Sequence, residues 1–163
     1  MIIVSDTSPL SNLAIVGYLS LLQQIYNKVI IPQAVAEELR NASDEENLIA
    51  GVLSLDWIEV VSAKNLELIS VLRNNHNLDR GEAEAIALAL ELNADELLID
   101  ERLGRREATR LGLPITGVLG ILLVAKRRGL ISAVQPVMDA LMNQVGFRVS
   151  SQLYAEVLKA AGE

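Results

Sequence analysis

The chain contains no cysteine, which excludes disulfides and thiolate metal sites and fits a reducing compartment. A single histidine, His76, leaves no imidazole set for zinc and none to spare for a Ser-His-Asp relay. Any metal would therefore be held by oxygen, which points to Mg²⁺ or Mn²⁺. Hydrophobic residues make up 51% of the sequence, yet no apolar run approaches a membrane span. The N-terminus lacks a basic lead, and Ile2 to Val4 is too short for the apolar core of a signal peptide. The expectation is a cytoplasmic chain with no membrane partner. No apparent strand is followed by a glycine-rich phosphate loop, which argues against a Rossmann-type nucleotide enzyme. Asp6 is followed by Thr7-Ser8, which argues against an Asp-x-Asp phosphatase.

A surplus of positive charge is also missing: the net charge is −7, which speaks against a generic nucleic-acid coat. The total conceals an asymmetry. Residues 1–100 carry 5 Lys/Arg against 16 Asp/Glu, whereas residues 101–130 carry 7 against 2. A basic segment beside an acidic one suits a polyanion held near a cation. On charge alone an ordinary solvated helix face is the favoured reading.

What is present is a repeated strand-then-acid unit. Ile2-Ile3-Val4 forms a β-branched run expected to be buried on both faces of a parallel sheet, and it ends at Asp6. Ser8 can cap the helix that follows, with Pro9 in its first turn. Far along the chain Leu97-Leu98-Ile99 repeats the pattern and ends at Asp100. Acids at the carboxyl ends of central parallel strands lie where open α/β sheets bind ligands.

The intervening pattern alternates. Gly17 precedes a short helix at 18–26, Val29-Ile30-Ile31 is a second strand, and Pro32 opens a helix through Arg40. Residues 41–46 read as a loop, 48–53 as weakly helical, 57–61 as a third strand and 65–74 as a helix. The helix from Asp79 through Glu91 is rich in Ala and Leu, as expected of one wedged against a sheet. A basic helix at 101–111 is stopped by Gly112 and Pro114, and residues 114–116 read as an edge strand. Helices at 118–128, 133–144 and 151–161 follow. With 163 residues, the chain is expected to be one domain, residues 1–163, folded as a three-layer α/β/α sandwich with a mainly parallel sheet.

Four acids are candidates for one site, each with a plainer explanation. Asp6 and Asp100 could each cap the next helix. Glu38, beside buried-stripe Leu39, could be a solvent-facing helical Glu. Glu82 could complete a capping box with Asp79, reaching back to a backbone N–H. Glu84 and Glu91, seven residues apart, are expected on the exposed side of their helix. His76, in Asn74-Asn75-His76-Asn77, is expected to be a solvated loop residue. Crowded carboxylates repel, and a divalent cation relieves that repulsion while polarising a phosphodiester and its attacking water.

Together these segments resemble PIN-domain proteins, the fold of VapC-type toxin ribonucleases, and more closely an uncharacterised prokaryotic PIN-like branch of predicted nucleic-acid-binding proteins. The resemblance rests on Ile2 to Leu10, Ile31 to Leu39, Leu78 to Ala85, Leu98 to Arg102 and Gly117 to Ile131. It implies a catalytic, metal-holding set of Asp6, Glu38, Glu82 and Asp100, with Glu84 the alternative third acid. It also implies Mg²⁺ or Mn²⁺ as cofactor, RNA as substrate, a homodimer and an antitoxin partner. Arg102, Arg105 and Arg106, following the fourth acid, become candidate phosphate contacts. The implied activity is metal-dependent endoribonuclease; the alternative is an inactive PIN-like module that binds nucleic acid or a partner protein. Two departures from the pattern stand out. The third acid is Glu rather than Asp, and Leu98 replaces a Thr common two residues before the fourth acid, which removes a supporting hydroxyl and favours the alternative.

Overall fold

The computed structural model describes residues 1–42 and 46–163. Five strands, β1 (Ile3–Ser5), β2 (Val29–Ile31), β3 (Ile58–Val60), β4 (Glu96–Leu98) and β5 (Ile115–Thr116), form one sheet in the order β3-β2-β1-β4-β5. Every pairing is parallel. Among the described residues nine α-helices surround the sheet: α1 (Thr7–Val16), α2 (Ser20–Tyr26), α3 (Gln33–Asn41), α4 (Leu66–His76), α5 (Arg80–Glu91), α6 (Arg102–Arg110), α7 (Val118–Arg127), α8 (Gln135–Gln144) and α9 (Ser151–Ala160). A 3-10 turn covers Ala50–Ser54.

The strands are short and apolar because both sheet faces are covered. Alternation along each strand divides the side chains between two cores. Ile3, Val29, Ile31 and Leu98 enter the core made with α1, α2, α3, α7 and α8. Val4, Leu97 and Ile99 enter the other, made chiefly with α4 and α5. Ala83, Ala85, Ala87 and Ala89 of α5 are all fully buried, which lets that helix approach the sheet closely. The expected α/β sandwich is observed.

Several local expectations need correction. Ile2 is 38% exposed rather than buried, since pairing begins at Ile3. The first helix starts at Thr7, so Asp6 and not Ser8 occupies its cap position. His76 is the last residue of α4 rather than a loop residue, and Asn77 closes that helix in the left-handed region at φ 59°. The expected loop at 41–46 falls largely on residues 43–45, outside the described residues.

Candidate active site

The chain builds from β1 outward to β2 and β3, then returns to the far side of β1 to lay down β4 and β5. The order therefore reverses between β1 and β4, and ligands of open α/β sheets bind in that crevice. Asp6 follows β1 directly; Asp100 follows β4 after Ile99. The Asp6 N–H donates to the Leu98 carbonyl at 2.9 Å, holding the two acid-bearing strand ends side by side.

Asp6 is 3% exposed, and although it stands at the cap position of α1 its side chain makes no capping bond there. Burial pushes its carboxyl up to about 7, against an opposing Thr7 backbone N–H, while Asp79, Glu38 and Glu101 add repulsion. Asp100 caps not the helix that follows it but α7, accepting from the Val118 N–H at 2.9 Å through Oδ1. Its other oxygen, Oδ2, is buried with no hydrogen-bond partner. Burial raises Asp100 to about 6; the Val118 N–H and the Arg105 guanidinium oppose this, and Glu101 adds to it.

Glu82 lies in the first turn of α5, where its backbone N–H, rather than its carboxyl, serves the cap at Asp79. Asp79 Oδ1 accepts from the Glu82 N–H at 2.8 Å, so the capping residue is as expected. Glu82 as a residue is only 7% exposed, and its carboxyl is set among acids. Burial, a hydrogen bond with the Asp79 carboxyl, and the charges of Asp79 and Asp6 push it up to about 8. Glu38 accepts from Thr7 Oγ1 at 2.5 Å, which ties α3 to the turn after β1. Partial burial raises the Glu38 carboxyl; the Thr7 hydroxyl and Arg80 draw it down, whereas Asp79 and Glu84 push it up.

Three glycines fit this set closely. A Cβ on Gly81 would collide with Glu38 Oε1. One on Gly104 would stand 2.8 Å from Glu82 Oε2, and one on Gly117 would stand 2.6 Å from Asp100 Oδ1. Bare backbone is what allows each of these carboxylates its position.

Glu84 is not on an exposed face. It is 9% exposed and accepts from the Ala34 N–H at 3.1 Å and from Arg80 Nε at 2.8 Å. The reason is local: Pro32 at the start of α3 makes no side-chain cap, so a carboxylate from α5 serves that helix end. Glu84 is thereby committed elsewhere, while Glu82 faces Asp6. Glu91 is exposed as expected. Of the three arginines, Arg105 turns inward and donates to the Ile99 carbonyl at 2.8 Å. Arg102 and Arg106 are exposed. His76 is half-buried and lies 3.2 Å from the buried Glu107, so it is not the free side chain expected.

Sequence reasoning passed over Thr7, Asp79 and Glu101. Asp79 was legible only as a cap, because its second role depends on Asp6 and Glu38 arriving from other elements. Thr7 carries a signal in being adjacent to Asp6.

The donors are all oxygen, their carboxyl groups are held above the ordinary range by burial and mutual repulsion, and Asp100 Oδ2 is an orphaned buried acceptor. Among the described residues no group of three or more His, Cys, Asp or Glu side chains is placed to hold a metal ion. Mg²⁺ does not need such a group, since it commonly keeps several waters and takes one or two carboxylates from the protein. The residues fit a hard divalent cation held in that open manner.

The fold and site together define an α/β domain with an acidic crevice at the switch point of a parallel sheet. A family model described as a PIN domain matches residues 2–163, and the chain belongs to that family. No curated protein gives a significant match. Among the described residues no helix is long and apolar enough to cross a membrane.

Proposed function

We propose that this chain is a Mg²⁺- or Mn²⁺-dependent endoribonuclease acting as a toxin-like component. The observation that carries the reading is the free, buried Oδ2 of Asp100, on the strand end beside the buried Asp6. In this reading Asp6, Glu38, Glu82 and Asp100 hold the cation, directly or through its waters. A bound cation supplies charge neutralisation at the phosphodiester and a lowered pKa for the attacking water.

The chain's own groups do the rest. The Thr7 hydroxyl fixes the Glu38 carboxylate, and the Ile99 carbonyl fixes Arg105 beside Asp100. Asp100 Oδ2 is free to accept a proton or a metal bond, its partner oxygen being engaged by Val118. Arg102 and Arg106, exposed on α6, are the candidate contacts for flanking phosphates. Glu82, rather than Glu84, is the third acid of this proposal. A homodimer and a small antitoxin partner belong to the same proposal and are checked by solution mass and co-purification.

The test is cleavage of mixed structured RNAs by the purified chain with Mn²⁺, Mg²⁺ or EDTA, and with Asp6→Asn as control. Metal-dependent cutting that is lost in the variant is the expected result. An equally active Asp6→Asn protein would overturn the assignment.

One observation favours the second reading, an inactive nucleic-acid- or protein-binding module. Leu98 is fully buried in the apolar core, so no hydroxyl supports Asp100 from that position. RNA binding that needs no metal, in a folded chain that never cuts, is what this reading expects.

A further inference from the structure

Asp100, alone of the four acids, also lines a cavity of about 470 Å³ between β5, the start of α7 and the segment joining α8 to α9. Its other walls include Arg105, Gly117, Phe147, Arg148 and Leu153. Two guanidiniums and the chain's only phenylalanine thus share one hollow with a proposed metal ligand. The volume lies in the range of small-ligand sites.

The parts are differently held. Arg105 is anchored by the Ile99 carbonyl at 2.8 Å. Phe147 is half-buried against the core and pinned by its N–H to the Leu141 carbonyl at 3.1 Å, just after Gly146 turns the chain at φ 67°. Arg148 is exposed and engages no acid among the described residues, leaving its charge available. A Cβ on Gly117 would stand 2.8 Å from Arg105 Nη1, so bare backbone keeps this wall of the cavity open. One carboxylate, Asp100, also faces the hollow, and a polyanion reaching it must place phosphate toward the arginines.

We propose that this cavity binds one nucleotide of a single-stranded RNA next to the cleavage centre, its base against Phe147 and its phosphate between Arg105 and Arg148. The inference rests on the ribonuclease reading for its ligand class. Single strands are favoured because a base must leave the stack to lie on an aromatic ring within a hollow. Phe147 and Arg148 would then be binding residues that the acid pattern does not include.

The experiment measures binding of short fluorescent oligoribonucleotides, as strands and as duplexes, to the full chain in EDTA, with Mn²⁺-dependent cutting followed separately. Phe147→Leu keeps apolar volume and removes the ring; Arg148→Ala changes an exposed residue. Each is expected to weaken strand binding by about tenfold or more, with thermal unfolding unchanged for Arg148→Ala and lowered only slightly for Phe147→Leu. Arg148→Ala should also reduce the salt slope by about one. The duplex should bind more weakly than the strand. Variants that bind like the parent, or a duplex that binds equally well, would overturn the cavity assignment even where RNA is cut. Strand binding lost in the variants of a chain that never cuts would support the cavity while defeating the nuclease reading. A chain that binds no strand at all overturns the inference.

Discussion

The Thr7 hydroxyl donates to Glu38 Oε2 at 2.5 Å, joining the residue after the first strand end to a helix 31 positions away. This bond favours the charged form of Glu38 against the burial that raises it. Thr7→Val should leave stability within about 1 kcal/mol, since the pair is exposed on one side. Mn²⁺ affinity, by calorimetric titration, should fall roughly tenfold or more. Unchanged affinity would remove Thr7 from any role in positioning Glu38.

Gly104 lies inside α6, where alanine would normally add up to about 1 kcal/mol of stability. Here a Cβ would stand 2.6 Å from Ile99 Cδ1 and 2.8 Å from Glu82 Oε2. Gly104→Ala should destabilise by roughly 1–3 kcal/mol and disturb metal binding. Gly51→Ala, where nothing lies within 4 Å, is the matched control and should be close to neutral. Equal denaturation midpoints for the two variants would contradict the close fit around Glu82.

The acids also set a pH dependence. Asp6, Asp100 and Glu82 are raised to about 7, 6 and 8, so the folded state holds protons that the unfolded chain has already released. Their contribution is fully present below the ordinary carboxylate range and is lost as pH rises through about 6 to 8. Metal-free protein should therefore melt at progressively lower temperature across that window. Asp6→Asn should flatten the decline and stabilise the metal-free chain by roughly 2 kcal/mol at its alkaline end. Mn²⁺ should restore most at the alkaline end in the parent and less in the variant. A melting temperature flat with pH would show that these groups are not held protonated.

Glu82 and Glu84 are two residues apart and serve different ends. Glu84→Gln weakens the cap on α3 and the pair with Arg80, and should cost about 1–2 kcal/mol while leaving metal binding intact. Glu82→Gln should do the reverse, removing metal affinity and lessening repulsion with Asp6 and Asp79. Parallel melting curves and metal titrations separate them. If Glu84→Gln were the variant to lose metal, the third acid would have to be reassigned.

The sequence by itself determined the element order and the strand ends. Ile3-Val4 before Asp6 and Leu97-Leu98 before Asp100 are short apolar runs stopped by an acid, a local pattern that needs no partner to be read. The Ala-rich helix likewise announced its burial, and the proline at 114 announced the edge position of β5. Tertiary structure alone decided where the other polar groups point. Glu84 looked solvent-facing from its spacing to Glu91, but Pro32 on another helix left an end for it to cap. Asp79 read only as a cap until Asp6 and Glu38 brought their charges to it. Asp100 read as a cap for its own helix, yet it caps α7, which reaches it through the β5 connection. Helical and strand periodicity are properties of neighbours in sequence. The electrostatics of a carboxylate depend on whatever the fold brings within a few ångströms, and that is fixed only when the elements pack.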